Sequence, residues 1–355
     1  MLIGPSNGKD GKMKAVVKTK KGEGHIELMD WSEPHPNPGQ VKIRVRGAGV
    51  CGSDVHVYHE RISIPMNLPV IIGHELCGEV AEVGEGVKNY QVGDRVTSET
   101  TYYKCGRCPF CQIGWYNMCP ERLIMGFRAH GAYAEYCVVP EIALHRLPET
   151  VDFISGALCE PLAVCTHATY ELTGVYPGDW VYISGPGPIG LLCMQLAKAA
   201  GANVVVGGAA VDDDRLKIAE SLGANRTLRV DREDPVAILK DLTHGMGADM
   251  VIECAGVPAA TAQGLEVVRK RGKFTQIGLF GKPIELDFEK ICFKEIQVTG
   301  SFGSKWTTWE KAIQMLAEGK VQTKPLVSST RPLEQWKESI LGMEAKTEMK
   351  VVLVP

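Results

Sequence analysis

The sequence of 355 residues contains no apolar run of the roughly 18 residues that a membrane-crossing helix needs. Its opening, MLIGPSNGKDGKMKAVV, has too short a hydrophobic stretch, and too many glycines and lysines, for a secretory signal. A surplus of one charge sign is also absent: 39 lysines and arginines face 42 aspartates and glutamates, a net charge of −3. That balance provides no basic field for nucleic acid or anionic lipid. Internal repeats and low-complexity tracts are missing as well. The chain therefore reads as a cytoplasmic protein whose partners are small molecules or other proteins, with no membrane and no nucleic acid among them. Its length exceeds the about 250 to 300 residues at which single cores stop growing, so two domains are expected.

Residues 1–12 read as a mobile extension before a first strand at Lys14–Lys18. From about Lys14 to Leu147, short β-branched runs such as VKIRVRGAGV and AYAEYCVVP alternate with glycine and proline turns. This pattern suggests an all-β, barrel-like unit. From about Val164 to Gly300 the pattern becomes strand, helix, strand, with DWVYISG, IGLLCMQLAKAAGA, NVVVGG and DRLKIAESLGA in succession. Such alternation predicts a parallel sheet covered by helices on both faces. Further strands are expected at DMVIECAG, GKFTQIGLF and IQVTGSF. A helix around TTWEKAIQMLAEG and a last strand, KVVLVP, are too little for a third domain, and both are expected to return to the first unit.

What the sequence does have is cysteine, twelve in all, and four of them fall in one loop, CGRCPFCQIGWYNMC. Cys105, Cys108, Cys111 and Cys119 follow C-x2-C-x2-C-x7-C, with Gly106, Pro109 and Gly114 turning the backbone between them. A disulfide needs two partners in a narrow geometry. Four converging thiolates suit a structural Zn2+ at about 2.3 Å per bond. A disulfide cluster and four unrelated core thiols are the alternatives.

Gly185-Pro-Gly187-Pro188-Ile189-Gly190 is a G-x-G-x-x-G between an apolar strand and a helix pattern. In that setting Gly185 permits a tight turn, Gly187 lets a pyrophosphate approach, and Gly190 allows close helix-to-strand contact. The helix N-terminus then offers free N–H groups to phosphate. The acid that usually reads the ribose is missing, because its place is Gly207-Gly208. The first acids follow in AAVDDDRL. Asp212, Asp213 or Asp214 could reach the ribose, with Arg215 beside the adenosine, or the run could cap the next helix. Three carboxylates would repel a 2′-phosphate, which favours NAD; NADP is the alternative.

Three further segments carry metal-type residues beside glycine or proline: Cys51, Ser53 and His56; His74 and Glu75; Cys159, Glu160 and Cys165. A catalytic zinc takes about three protein ligands and keeps one open position. Cys51, His74 and a carboxylate would supply them, although a lone cysteine is more often core and a lone histidine more often surface.

In order along the chain, G-V-C-G-S-D-x-H, G-H-E, the four-cysteine loop, E-P-L-A-V and the G-P-G-P-I-G turn resemble the zinc-dependent medium-chain dehydrogenases, in their polyol branch of sorbitol and threonine dehydrogenase type. The resemblance runs from about residue 13 to 355. It implies an α/β chain with a distorted, GroES-like β-barrel catalytic domain over 1–165 and 303–355, including a zinc lobe at about 100–122. A Rossmann dinucleotide domain, a doubly wound parallel sheet over 166–302, is inserted into it. By the same resemblance Cys51, His74 and Glu75 take the catalytic zinc positions. Glu160 stands where the founding alcohol dehydrogenases have a cysteine and binds zinc directly or through water. Ser53 and His56 would relay the proton, and the four cysteines would hold a second, structural zinc near a subunit contact. The cofactor would meet Gly185, Gly187, Pro188, Ile189, Gly190, Gly208, Arg215, Ile277, Gly278, Leu279, Ser301, Phe302 and Gly303. The implied activity is hydride transfer between a secondary alcohol (a polyol, sugar alcohol or cyclitol) and NAD, in a homo-oligomer, dimer or tetramer. A secondary-alcohol or threonine 3-dehydrogenase with a non-polyol substrate is the alternative.

The sequence departs from sorbitol-type enzymes at Val57, Gly303 and Ser304, where those enzymes carry an aromatic and an Arg-Tyr pair against the polyol hydroxyls. The polyol clamp is thus weakened, or rebuilt from Tyr58, His59, Trp306 or Trp309, unless these pack in the core. A zinc-free quinone reductase relative would lack Cys51 and His74, and a non-catalytic lens-type relative would have lost the glycine turn or the relay. None of these is lost.

Overall fold

In the computed structural model, which describes residues 11–355, the first strand runs Lys12–Lys18, two residues earlier than expected. The expected extension lies, up to residue 10, outside the described residues. No described helix is long and apolar enough to cross a membrane.

One compact unit comprises the described residues up to Glu160 together with Ser304–Ile313 and Val327–Pro355. Its seven-stranded sheet is ordered Leu144–Arg146, Arg95–Ser98, Glu75–Val83, Gln40–Gly49, Val351–Val354 and Ser329–Pro332, with Tyr136–Pro140 also paired to Gln40–Gly49. Alternating β-branched residues supply the buried face, where Val41, Ile43, Val45, Leu76, Val351 and Leu353 share one core. The pairing of Gln40–Gly49 with Glu75–Val83 shifts register at Lys42/Ile43 and at Val45/Gly47. Shifts of this kind bend a strand and re-aim its ends.

At the bent end the register sets Gly49 opposite both Glu75 and Val352. Cys51, His74, Glu75 and Lys350 thus come from three distant segments but lie within two residues of one register position. Glycine is required at 49, since a Cβ there would fall 2.0 Å from Glu75 Oε2. The chain then enters the short helix Gly52–Tyr58, whose first turn is closed by Asp54 Oδ2 accepting from Cys51 N at 2.8 Å. Just past this helix, His59 is clamped from two sides. Its Nδ1 lies 2.8 Å from Glu23 Oε1, and its Nε2 lies 2.9 Å from Glu344 Oε1 at the end of helix Trp336–Glu344.

The second unit is Pro161–Gly303 with Gln314–Leu326. Its six parallel strands are ordered Arg226–Arg229, Asn203–Gly208, Trp180–Ser184, Ala248–Glu253, Val268–Gln276 and Gln297–Gly300. The near-continuous apolar runs WVYIS and NVVVGG fit strands buried on both faces. Strand order reverses between Trp180–Ser184 and Ala248–Glu253, the switch point where open α/β sheets bind ligands beyond their C-terminal ends. Tyr182, Val205, Leu239, Val251, Leu265 and Phe274 belong to its core.

The His59 clamp generates a pH prediction. The carboxylates of Glu344 and Glu23 beside the imidazole raise the His59 pKa above the usual 6.5, against a smaller opposing effect of burial. A pKa raised by folding contributes stability that is complete below the unfolded value and is lost as pH rises through the folded one. The thermal-midpoint gap between wild type and His59→Asn should therefore be widest below pH 6.5 and narrow above it. A gap that is constant from pH 6 to 9 contradicts the clamp.

Candidate functional site

At the bent end of the first sheet, Cys51, His74 and Glu75 offer a sulfur, an imidazole nitrogen and a carboxylate oxygen that all lie within 4.8 Å of one another. Ser53 Oγ, two residues past Cys51, is 3.5 Å from His74 Nε2. His56 lies in the last turn of the same helix. Glu160 is buried, and the charges of His74, Glu75, Lys350 and Arg122 all act on it. Around this group stand residues that the sequence motifs did not mark. Lys350 Nζ donates to both oxygens of Glu75, at 2.7 and 2.9 Å, and to Val50 O at 2.9 Å. Tyr133 donates to Asp54 Oδ2 at 2.6 Å. Arg122 is buried and donates to Thr100 Oγ1 at 2.8 Å and Asn117 O at 3.1 Å.

Charge accounts for what this arrangement can hold. In the fully deprotonated state that a metal requires, with His74 neutral, Cys51, Asp54, Glu75 and Glu160 carry four negative charges, and Lys350 and Arg122 carry two positive ones. The difference of −2 is what one divalent cation cancels, and uncompensated buried charge is costly. The same excess shows in the protonation of the cluster. Burial opposes a charged imidazole, yet Cys51, Asp54 and Glu160 carry the His74 pKa up to about 10. Burial pushes Glu160 up to about 7. His74 Nδ1 is buried without a hydrogen-bond partner, its nearest carboxylate oxygen being Asp54 Oδ1 at 3.9 Å. Thiolate, imidazole and carboxylate form a donor set that zinc takes, so these residues fit the ion.

The four-cysteine loop folds into a second, separate cluster. The sulfurs of Cys105, Cys108, Cys111 and Cys119 all lie within 4.8 Å of one another. Cys105 Sγ is 3.9 Å from Cys111 Sγ and 3.6 Å from Cys119 Sγ. A disulfide would bring two sulfurs to about 2.05 Å. Sulfurs about 2.3 Å from a tetrahedral zinc stand roughly 3.8 Å apart, which matches. Backbone N–H groups of Arg107 and Cys108 lower the Cys105 thiol to about 7, favouring the thiolate a metal needs. By contrast Cys159 is a core thiol, pushed up to about 12 by burial, and Cys165 donates to Ile189 O at 3.4 Å.

In the second unit the glycine turn joins Trp180–Ser184 to helix Pro188–Ala199, which starts on Gly187 with no side-chain cap. Its three glycines do three different things. Gly185 has φ +97°, and a Cβ there would lie 2.9 Å from Ala255. A Cβ on Gly190 would lie 1.9 Å from Gly185 O, whereas one on Gly187 would meet nothing within 4 Å. The open position is where phosphate can approach the helix N-terminus. Ile277 and Gly278 donate to Glu253 O at 2.9 and 3.0 Å, and Ser301 N donates to Gln276 O at 2.9 Å, so these residues gather at the C-terminal ends of the central strands. Leu279 and Phe302 are exposed, and Gly303 has φ +71°.

Packing explains the absent ribose acid. A Cβ on Gly207 would fall 2.1 Å from the Tyr182 hydroxyl, and one on Gly208 would fall 2.9 Å from Pro186. The three aspartates that follow do not act together. Asp213 is paired with Arg229 at 2.6 Å and Asp214 with Lys217 at 2.8 Å. Asp212 accepts from Ala209 N at 3.1 Å and lies 3.6 Å from Arg215. Two of the candidates for a rebuilt substrate clamp are structural. Trp309 is fully buried, stacked on His145 at 5.3 Å and donating to Ser304 Oγ at 3.0 Å, and His59 is held by its two glutamates. Val57 is core; Tyr58 is half-buried and Trp306 exposed.

The sequence matches two family descriptions: alcohol dehydrogenase GroES-like domain over residues 37–149, and zinc-binding dehydrogenase over 188–318. A sorbitol dehydrogenase of Halalkalibacterium halodurans is 44% identical over 97% of this chain and 99% of its own. An L-threonine 3-dehydrogenase of Bacillus velezensis is 36% identical over 97% of this chain and 99% of its own. The crystal structure of a putative zinc-binding dehydrogenase from Sinorhizobium meliloti 1021 bound to NADP superimposes with a TM-score of 0.88 at 32% identity, covering 98% of this chain and 100% of that one.

Elemental analysis after zinc-replete expression should find two zinc ions per chain, and one in either Cys51→Ser or Cys108→Ser. The first variant should lose at least about a hundredfold in turnover, since a Lewis-acid ion is worth several kcal/mol. The second should lose thermal stability while keeping most of its activity. One zinc or fewer in the wild type contradicts the two-centre reading.

Proposed function

The chain belongs to the zinc-dependent medium-chain dehydrogenases and is an NAD(P)-dependent zinc alcohol dehydrogenase, and we propose that its substrate is a secondary alcohol within a polyhydroxylated molecule, with NAD preferred. In this reading the two compact units are the catalytic and the dinucleotide-binding domain. Cys51, His74 and Glu75, the last braced by Lys350, hold the catalytic zinc, and Glu160 binds it directly or through water. The observation that carries the reading is the −2 cluster at Cys51 and His74 with the Ser53 hydroxyl 3.5 Å from the imidazole.

Zinc bound there supplies Lewis acidity toward the substrate oxygen, which favours loss of its proton. The remaining work belongs to the chain. Ser53 Oγ accepts the hydroxyl proton and passes its own toward His56, in the last turn of the same helix. A nicotinamide bound in the second unit would supply the hydride acceptor, taking two electrons and one proton as the alcohol becomes a ketone, and the second proton would leave through Ser53. Asp54 holds the Cys51 end of the helix through the backbone, and Tyr133 holds Asp54. Together they fix where Ser53 points.

Polyol chemistry is supported by the 44% identity to a sorbitol dehydrogenase over nearly the full chain. A threonine-type alternative is favoured by one observation: Ser304 is engaged with Trp309, and Val57 is core, so the polyol contacts expected at those positions are not formed by them. NAD preference rests on Asp212, the carboxylate nearest the Gly208 turn, and on Arg229, which Asp213 and Asp231 hold at 2.6 to 2.9 Å and so withhold from a 2′-phosphate. We also propose that the chain is a homo-oligomer. Strand Gln297–Gly300 ends its sheet, with Val298 exposed on it and Phe288 and Phe293 exposed just before it. An uncovered edge of this kind is completed by the same edge of a second copy.

Ser53→Ala should lower turnover by roughly 10- to 1000-fold with zinc content intact, the usual range for lost acid–base assistance. Unchanged turnover would make Ser53 a packing hydroxyl. Polyols, inositols, simple secondary alcohols and threonine, each assayed with NAD and NADP, should give the highest kcat/KM for a polyol with NAD. Threonine leading the panel overturns the substrate, and a lower KM for NADP overturns the cofactor preference. Light scattering should report a dimer or tetramer in the wild type; a monomer mass rules the oligomer out.

A further inference from the structure

Neither metal cluster nor the glycine turn uses Glu253, the last residue of the central strand Ala248–Glu253. Its side chain is wholly buried. Oε1 accepts from Ala255 N at 2.9 Å and Gly256 N at 3.0 Å, while Oε2 accepts from Gly256 N at 3.1 Å and Gln276 Nε2 at 2.5 Å. Gln276 Nε2 also donates to Gly278 O at 2.8 Å. Two glycines make room for this contact. A Cβ on Gly278 would lie 2.6 Å from Glu253 Oε2, and one on Gly256, at φ +63°, would lie 2.5 Å from Leu279 O. Ala255 in turn packs against Gly185 at the start of the phosphate-type turn.

One carboxylate therefore fixes the main chain after two neighbouring strands and, through Ala255, touches a third loop. A buried carboxylate is an expensive way to fill space, since burial disfavours its charge and raises the Glu253 pKa. An acceptor-only group has one advantage here: it takes two N–H groups of the loop after its own strand together with the Gln276 amide, whose second bond holds Gly278 O in the next loop, so neither loop can shift without leaving a polar group unpaired. We propose that Glu253, relayed by Gln276, is a positioning residue for the dinucleotide, setting residues 255–256 and 277–279 in the places where their backbone meets the cofactor. This rests on the reading of the second unit as the cofactor domain.

The test is NADH affinity, followed by fluorescence, in the zinc-loaded wild type, in Glu253→Gln and in Gln276→Leu. An amide at 253 must turn its NH2 toward N–H donors, and leucine at 276 removes the relay. Both variants should bind NADH about tenfold or more weakly, the size expected for hydrogen bonds to a charged group. They should also raise the KM for NAD more than they lower kcat, keep two zinc ions, and lose most of the thermal-midpoint rise that saturating NADH gives the wild type. Gln276→Leu keeps the test decisive if Glu253→Gln does not fold. Lower stability with NADH affinity within twofold of wild type overturns the proposal, because the pair then only packs the core. A wild type that binds neither NADH nor NADPH overturns the cofactor reading itself, a result distinguishable from failure in the variants alone.

Discussion

Lys350 Nζ, buried against Glu75 and Val50, joins the three chain segments that form the candidate metal site at Cys51, His74 and Glu75. Its partners come from the strand ending at Gly49 and from the strand beginning at Glu75, and Lys350 itself precedes the last strand of the chain. Breaking a buried pair leaves an isolated charge, which costs several kcal/mol, whereas the intact pair adds little net stability. The value of this pair is in placement. It seats Glu75 against Gly49, leaves Cys51 at the start of its helix, and fixes the charge that the remaining acids present. With Lys350 and Arg122 as the counted cations, the cluster is short by two positive charges, and the chemistry of the centre follows from that shortfall.

The second unit solves its own positioning problem mainly by close approach. Gly190 lets its helix press on Gly185 O, Gly207 admits the Tyr182 hydroxyl, and Gly208 admits Pro186. Where glycine is not enough, a buried acid fixes the backbone, as Glu253 does at the ends of the central strands. Asp54 does the same in the first unit, accepting from Cys51 N and Tyr133. In each unit a buried carboxylate holds main chain in register beside the candidate site.

The parts of this architecture legible in the sequence are those whose logic is local. C-x2-C-x2-C-x7-C predicted a metal-type cluster because the ligands are close in sequence, and strand-G-x-G-x-x-G-helix carried its three glycine roles in six residues. Cys51, His74 and Glu75 were legible as a set only once the order of motifs resembled a family. Lys350 and Tyr133 gave no signal, because Lys350 lies 275 residues from Glu75 and Tyr133 lies 79 from Asp54. Arg122 and Glu253 look like ordinary surface charges until burial is known. The partners of the aspartate run were hidden for a related reason: Arg229, which pairs with Asp213, sits 16 residues away on the neighbouring strand. Trp309 and His59, candidates for a substrate clamp, are held by packing and by ion pairs that no spacing rule reveals.

The charge deficit at the Cys51 cluster can be measured as protons exchanged for metal. Chelator-treated protein that keeps its four-cysteine zinc, titrated with Zn2+ by calorimetry in buffers of different ionisation enthalpy at pH 7, reports the protons released as the catalytic site fills. If a divalent ion replaces the protons that the excess negative charge otherwise holds in the cluster, on His74 above all, about two protons should leave per zinc bound. Zinc entering with no proton release would contradict the account.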